Sequence, residues 1–353
     1  MTFYLLIIVT LCIYGVTIYQ KPEFCRDYIS RDNTLSIRGI FVLLVIAQHF
    51  VTYTELNSPY DSFYFEIRNF LGQNIVSIFL FYSGYGVYES IKKKGKEYII
   101  RMPVKRMLLT LLHFDLAVLA FYFVDRILGA QYPFRTILLA FTGWTSIGNS
   151  NWYVFAVLCA YMFTWFSFIL FYKYPIVAIV LTNMFSIIYI VVVHHYRPNE
   201  WYCYNTVLCY SAGMWYSYFK ERLEEFLLLD EGQHHYYITL FVNVIIVLFL
   251  RPYIGSLRIY IIWTLCFTSM TILMTMKIAV HNKILHWLGV YTFELYILQR
   301  IPMMVFARWG GIRNRPYIFL VLSIAGTVVL AFIFKKVCNY IDEKILNMKK
   351  KYN

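Results

Sequence analysis

Apolar residues fall in long blocks, most close to 20 residues, separated by short polar connections. Blocks of that length match a hydrocarbon layer ~30 Å thick. Spans are expected near residues 3–20, 36–54, 69–90, 107–128, 152–172, 176–194, 203–219, 236–250, 257–276, 285–306 and 317–334. The region 134–148 is semi-apolar and reads as a short re-entrant or interfacial piece. Backbone groups in lipid must be satisfied internally, so the blocks should be helices. Barrel strands would alternate over about ten residues, and the chain shows no such alternation. The expected fold is an all-α, polytopic transmembrane helical bundle of about 10–11 spans. The first block, Phe3 to Tyr19, lacks a basic leading region and a small-residue cleavage site. It is expected to be a retained helix rather than a signal peptide.

Composition supports this picture. Only 14% of the 353 residues are charged and 60% are hydrophobic, whereas a soluble domain carries about a quarter charged residues. Aromatic residues make up 20%; they suit either the headgroup region or a sugar-binding cavity. Seven cysteines without a Cys-x-x-Cys pair support neither a disulfide framework nor a zinc site, and no metal is expected. The net charge of +13 does not point to nucleic acid, because the basic residues cluster in particular loops. Of the 32 Lys and Arg, 22 fall on one side of the expected spans and 10 on the other. The positive-inside rule makes the richer side cytoplasmic, with the N-terminus outside and the C-terminus inside. The longest hydrophilic insert, Lys220 to His235, is too short to fold alone. The expected organisation is an extra helix and cytoplasmic loop (1–30), a membrane domain (31–335) and a basic cytoplasmic tail (336–353).

Ionisable residues inside spans are costly and are functional candidates by default. Arg38 and His49 are 11 residues apart, close to three helical turns, so they share a face ~16 Å apart along the axis. A neutral imidazole at mid-depth can act as a general base; a His satisfied by a neighbouring helix fits the sequence equally. Asp115 and Glu294 fall at a depth similar to His49 on two other spans, which points to one buried polar centre in which a carboxylate orients His49. Separate bonds from each to a nearby hydroxyl or carbonyl are the plainer reading. The basic run from Lys92 to Lys96, followed by Arg101, Lys105 and Arg106, serves either as a topological anchor or as an anion site. Ser83 and Gly84 allow close helix packing or close approach of a ligand. Asn151, Trp152 and Tyr153 open a span at the outer face, as belt aromatics or as sugar contacts. The pairs His194-His195 and His234-His235 are weak metal signals and read as solvated.

These residues resemble the acyltransferase 3 family of membrane O-acyltransferases. Arg38, ten intervening residues and His49 look like its first core helix. Phe79 to Gly86 is similar to its apolar segment running into Ser-Gly, and Lys105-Arg106 to its basic pair. Trp152-Tyr153 and the stretch Leu288 to Tyr296 resemble two later motifs. The likeness covers roughly residues 30 to 335. Gln299 stands where the family commonly has His, and Lys105 where it has Arg, which weakens bidentate phosphate binding.

The resemblance implies transfer of an acyl group, usually acetyl, from cytoplasmic acyl-CoA to a hydroxyl of a surface glycan or lipid-linked sugar, in a bacterial inner membrane. His49, aided by Glu294 or Asp115, is the expected catalytic group. Arg38, Ser83, Gly84, Arg101, Lys105 and Arg106 are expected to hold acetyl-CoA. Asn151, Trp152 and Tyr153 are expected to meet the sugar. A transporter or flippase of lipid-linked oligosaccharide is the main alternative, although paired broken helices and internal symmetry, common in transporters, are not evident. A polysaccharide polymerase or glycosyltransferase, which would call for larger outer loops, comes third.

Overall fold

The computed structural model describes residues 1–56, 58–229 and 233–352, so 230–232 of the hydrophilic insert lie outside the described residues. The chain opens with α1 (Thr2–Ile13) and β1 (Val16–Ile18), followed by α2 (Arg31–Phe50), α3 (Ser62–Leu71) and α4 (Asn74–Lys94). Then α5 (Lys96–Met102) passes through a π-helical turn, Pro103–Leu108, into α6 (Leu109–Ile127). Next come α7 (Phe134–Phe141), α8 (Trp152–Phe171), α9 (Pro175–Tyr196), α10 (Leu208–Leu228), α11 (His234–Leu250) and α12 (Leu257–Thr275). The chain continues through β2 (Ile278–Val280), α13 (Lys283–Val290), α14 (Thr292–Leu298), α15 (Arg300–Phe306), α16 (Gly310–Arg313) and α17 (Pro316–Tyr352).

The protein is a multi-pass helical membrane bundle. Among the described residues, 7 helices are long and apolar enough to cross a bilayer. Two more, α4 and α10, have 21 residues each and carry charge toward their C-terminal ends. The expected span 107–128 is the later part of one 32-residue helix, Lys96–Ile127. The semi-apolar region 134–148 holds α7 and then a loop whose Ile147, Asn149 and Ser150 are buried. The last helix, α17, has 37 residues and runs without a break past residue 336, so the basic tail continues a membrane helix.

Two expected spans need correction. The block 3–20 is not one helix. The 12 residues of α1 reach only ~18 Å. At one end Thr2 Oγ1 donates to the Tyr60 carbonyl near α3; at the other, β1 pairs antiparallel with β2, Val16 opposite Val280. Extended residues rise ~3.3 Å each, so the strand supplies the missing reach. The switch falls at Gly15, where φ is +92° and a Cβ would stand 2.7 Å from the His281 carbonyl oxygen.

The block 285–306 is interrupted twice, at Tyr291 and Gln299, giving α13, α14 and α15. The second break has a covalent cause. Pro302 has no N–H to donate to the carbonyl four residues back, at Leu298. Broken spans belong where backbone lines a cavity or is buried in protein, and residues 294–299 are all buried.

Small residues set the helix crossings around that region. A Cβ on Gly84 of α4 would lie 1.9 Å from the Tyr210 carbonyl oxygen of α10, and one on Gly289 of α13 would lie 1.9 Å from that of Leu35 in α2. Backbones this close are the packing mode of helices in lipid, where no water-driven apolar force operates between them. Starts are fixed by side chains: Ser30 Oγ accepts from the Asn33 N–H to cap α2, and Asn282 does the same for α13 through the N–H groups of Ile284 and Leu285.

Candidate functional site: a basic cavity ending on tyrosines

A cavity of about 820 Å³ lies among α2, α4, α6, α8 and the broken α13–α14 segment. Its rim carries exposed Arg31 and Lys94, and its inner walls include buried Phe79, Tyr82 and Tyr296. On α4 the lining residues Phe79, Tyr82, Ser83, Gly86, Glu89 and Ser90 recur at three- and four-residue intervals, the spacing of one helix face.

Arg38 lines this cavity ~two turns into α2. Its guanidinium carbon stands 5.4 Å from the centre of the Tyr82 ring, within cation–π range. Arg106 enters from the π turn, and its Nε donates to Tyr98 Oη at 3.0 Å. A π turn changes the direction of the side chains it carries; here it turns Arg106 inward and leaves Lys105 exposed. Ser83 Oγ shares a hydrogen bond with Tyr161 Oη at 2.7 Å. Arg38, Ser83, Arg106 and Tyr153 are therefore brought to one cavity. Gly84 instead faces the Tyr210 backbone, and Arg101 pairs on the surface with Glu97 at 2.9 Å.

Tyr153 and Tyr296 meet edge to face at the inner end, ring centres 5.3 Å apart. The His49 ring lies 6.5 Å from that of Tyr296 and is absent from the cavity lining. The histidine thus stands one ring beyond the cavity end. Buried polar atoms are almost always hydrogen-bonded, yet among the described residues Arg38 Nε, Tyr82 Oη, Tyr296 Oη and His49 Nδ1 have no partner, while the Gln299 side chain is within bonding reach of the His49 ring. These four atoms trace a line of unmet hydrogen-bonding capacity from the cavity wall to His49.

The three acidic and imidazole candidates do not form one centre: no hydrogen bond or ion pair joins His49, Asp115 and Glu294. Glu294 Oε1 lies 3.4 Å from Lys335 Nζ on α17, and Asp115 Oδ1 is buried with no partner among the described residues. Equal depth did not bring them together because depth says nothing of rotation. Two residues turn a helix by ~200°, so Tyr296 faces His49 while Glu294 faces α17. Asn151 and Trp152 are also placed away from the cavity. The Asn151 Nδ2 donates to the Gly143 carbonyl at 2.7 Å, tying down the loop before α8. Trp152 packs edge-on against Tyr153 and Tyr202. His194 is exposed and also bonded, its Nδ1 2.8 Å from Tyr204 Oη.

Beyond His49 lies a second polar group that sequence reasoning missed. Arg300 Nε donates to Tyr53 Oη at 2.9 Å. Tyr132, in the connection after α6, has its hydroxyl held above the ordinary range by burial and then by the Asp125 and Tyr53 charges, against Arg300. Asp125 is 2% exposed, and its Oδ2 has no partner among the described residues. Its signal was available: an acid in the last turn of an apolar span, followed by Arg126.

A helical bundle with an interrupted span, enclosing a basic cavity that ends beside a buried histidine, defines a membrane protein with a polar site inside the bilayer. The model of the acyltransferase 3 family, described as an acyltransferase domain, matches residues 36–336. The chain belongs to that family and is a membrane acyltransferase. No curated protein and no solved structure matches it.

Proposed function

We propose that the protein is an O-acyltransferase that moves an acyl group, expected to be acetyl, from cytoplasmic acyl-CoA to a hydroxyl of a surface glycan or lipid-linked sugar. The observation that supports this most is the line of unpartnered polar atoms from Arg38 to His49. The rim with Arg31 and Lys94 faces the cytoplasm in this reading, with Arg38 and Arg106 binding the donor's phosphates and arm. His49 takes the proton of the acceptor hydroxyl as its oxygen attacks the thioester carbonyl. The C–S bond breaks, and the thiolate leaves with a proton. The reacting groups meet when the Tyr296 ring swings aside.

The interrupted α13–α15 segment favours a second reading, a flippase of lipid-linked oligosaccharide. Purified protein with acetyl-labelled acetyl-CoA separates the two. The enzyme is expected to release or transfer the label. A flippase leaves the thioester intact, and that result would discard the acyltransferase proposal.

The π turn yields a sharper expectation. Arg106→Ala should raise the donor KM about tenfold, the loss of one or two charge-assisted hydrogen bonds. Lys105→Ala, exposed to solvent, should change it less than about twofold. Equal effects in steady-state kinetics would show that the turn does not aim Arg106 at the donor.

A further inference from the structure

We infer that Lys335, on α17, is a positioning residue for the reaction: it holds open the break at Tyr291 and so fixes the cavity wall that carries Tyr296. Its role in turnover rests on the acyltransferase reading; its place as a strut does not. A cation inside an apolar span is costly and calls for a reason, and Lys335 falls within the apolar span Pro316–Ile345. Its Nζ donates to the Val290 carbonyl, stands 4.5 Å from the centre of the Tyr291 ring and lies 3.4 Å from Glu294 Oε1. One ammonium thus meets the last residue of α13, the residue at the break and the first turn of α14.

A helix leaves its last four carbonyls without partners in its own backbone, and those of α13 are accounted for at the break. The Tyr291 N–H serves Trp287 and Leu288, at 3.3 and 3.1 Å. Thr292 Oγ1 donates to the Gly289 carbonyl at 2.8 Å. Val290 remains, and Lys335 supplies its donor from another helix. A cation there also suits the negative end of the helix dipole. Glu294, buried and with its Oε2 unpartnered among the described residues, provides the counter-charge. Val290, Thr292, Phe293 and Tyr296 line the cavity while Lys335 does not, so the strut bears on the back of that wall. The same face of α17 carries Cys338 and Asp342, at three- and four-residue steps. Cys338 is buried, and Asp342 Oδ1 lies 2.8 Å from His113 Nε2 of α6, one turn from the lining residue Thr110. α17 therefore braces two cavity walls from behind, and Lys335 is the brace on the wall that holds Tyr296. Its loss should reach turnover before donor binding, because Arg38 and Arg106 belong to α2 and the π turn, which carry none of its contacts among the described residues.

The test uses the full chain in nanodiscs, as wild type, Lys335→Met and Lys335→Arg, with two readouts: amide hydrogen exchange, and steady-state release of label from acetyl-labelled acetyl-CoA. Lys335→Met should exchange about tenfold faster over residues 289–296 and no faster in α12, the mark of a local opening. Its kcat should fall about tenfold or more, since a small misplacement is costly even when its cause lies away from the chemistry, while the donor KM stays within about twofold. Lys335→Arg, which keeps the charge and the donors, should return both readouts most of the way. Should Lys335→Met fail to fold, Lys335→Gln is read by the same criteria. The inference is overturned when exchange over 289–296 is unchanged in the Met form, when its kcat stays at the wild-type value, or when the Arg form is as impaired as the Met form. A wild type that never consumes acetyl-CoA would overturn the acyl-transfer proposal instead, and the exchange measurement then decides the strut by itself.

Discussion

His49→Ala should reduce acyl transfer by ~10²–10⁴-fold, the usual contribution of a positioned general base, with little change in donor KM. The two halves of that expectation have separate structural origins. The ring sits behind Tyr296 rather than in the cavity wall, so the donor does not rest on it in the ground state. His49 shares one side-chain hydrogen bond with Gln299, and its Nδ1 has no partner among the described residues, so the substitution gives up that single bond and the variant should reach the membrane in normal amount. Ester analysis of cells carrying each form, with quantitation of the protein in membranes, checks both halves. Wild-type levels of ester in the variant would remove His49 from the mechanism.

The second large effect is structural. Gly289→Leu should abolish accumulation of folded protein. The added Cβ would lie 1.9 Å from the Leu35 carbonyl oxygen and 2.5 Å from its carbon, both backbone atoms that cannot rotate away. Overpacked cores ordinarily lose ~1–3 kcal/mol when a side chain can yield; here α2 and α13 must part, carrying Arg38 and the break at Tyr291 with them. Gly255→Ala, with nothing within 4 Å of its added Cβ, should accumulate and melt as the wild type does. Size-exclusion profiles in detergent and thermal melts of the three forms test this. A monodisperse Gly289→Leu protein would show that the α2–α13 crossing is not fixed by the glycine.

Much of the bundle was readable because apolar blocks measure themselves against the bilayer. Arg38 was readable because a cation in such a block needs a reason, and Arg106 because it closes the basic run ahead of the span from residue 107. What stayed hidden was rotation. α8 and α9 are apolar on nearly every face, so periodicity carries no record of which side meets the cavity. Glu294 and Tyr296 therefore exchanged importance on a difference of two positions. The broken span was legible in one residue, Pro302, although the apolar run around it reads as continuous. Asn151 shows a further limit: its carboxamide is used by a carbonyl eight residues earlier in its own loop, a contact made by turn geometry. Gly15 ended a helix that hydropathy alone would extend to residue 20.

The Tyr153–Tyr296 contact has a bearing on the cell as well as on the reaction. A polar passage running uninterrupted from one surface of a bilayer to the other would conduct protons and discharge the gradient on which the cell depends. Two aromatic rings packed edge to face fill the space between the basic cavity and His49. Under the acyl-transfer proposal, donor and acceptor can then approach from opposite sides of the rings without an open wire through them, and substitutions that shrink either ring are expected to leak current before they lose turnover.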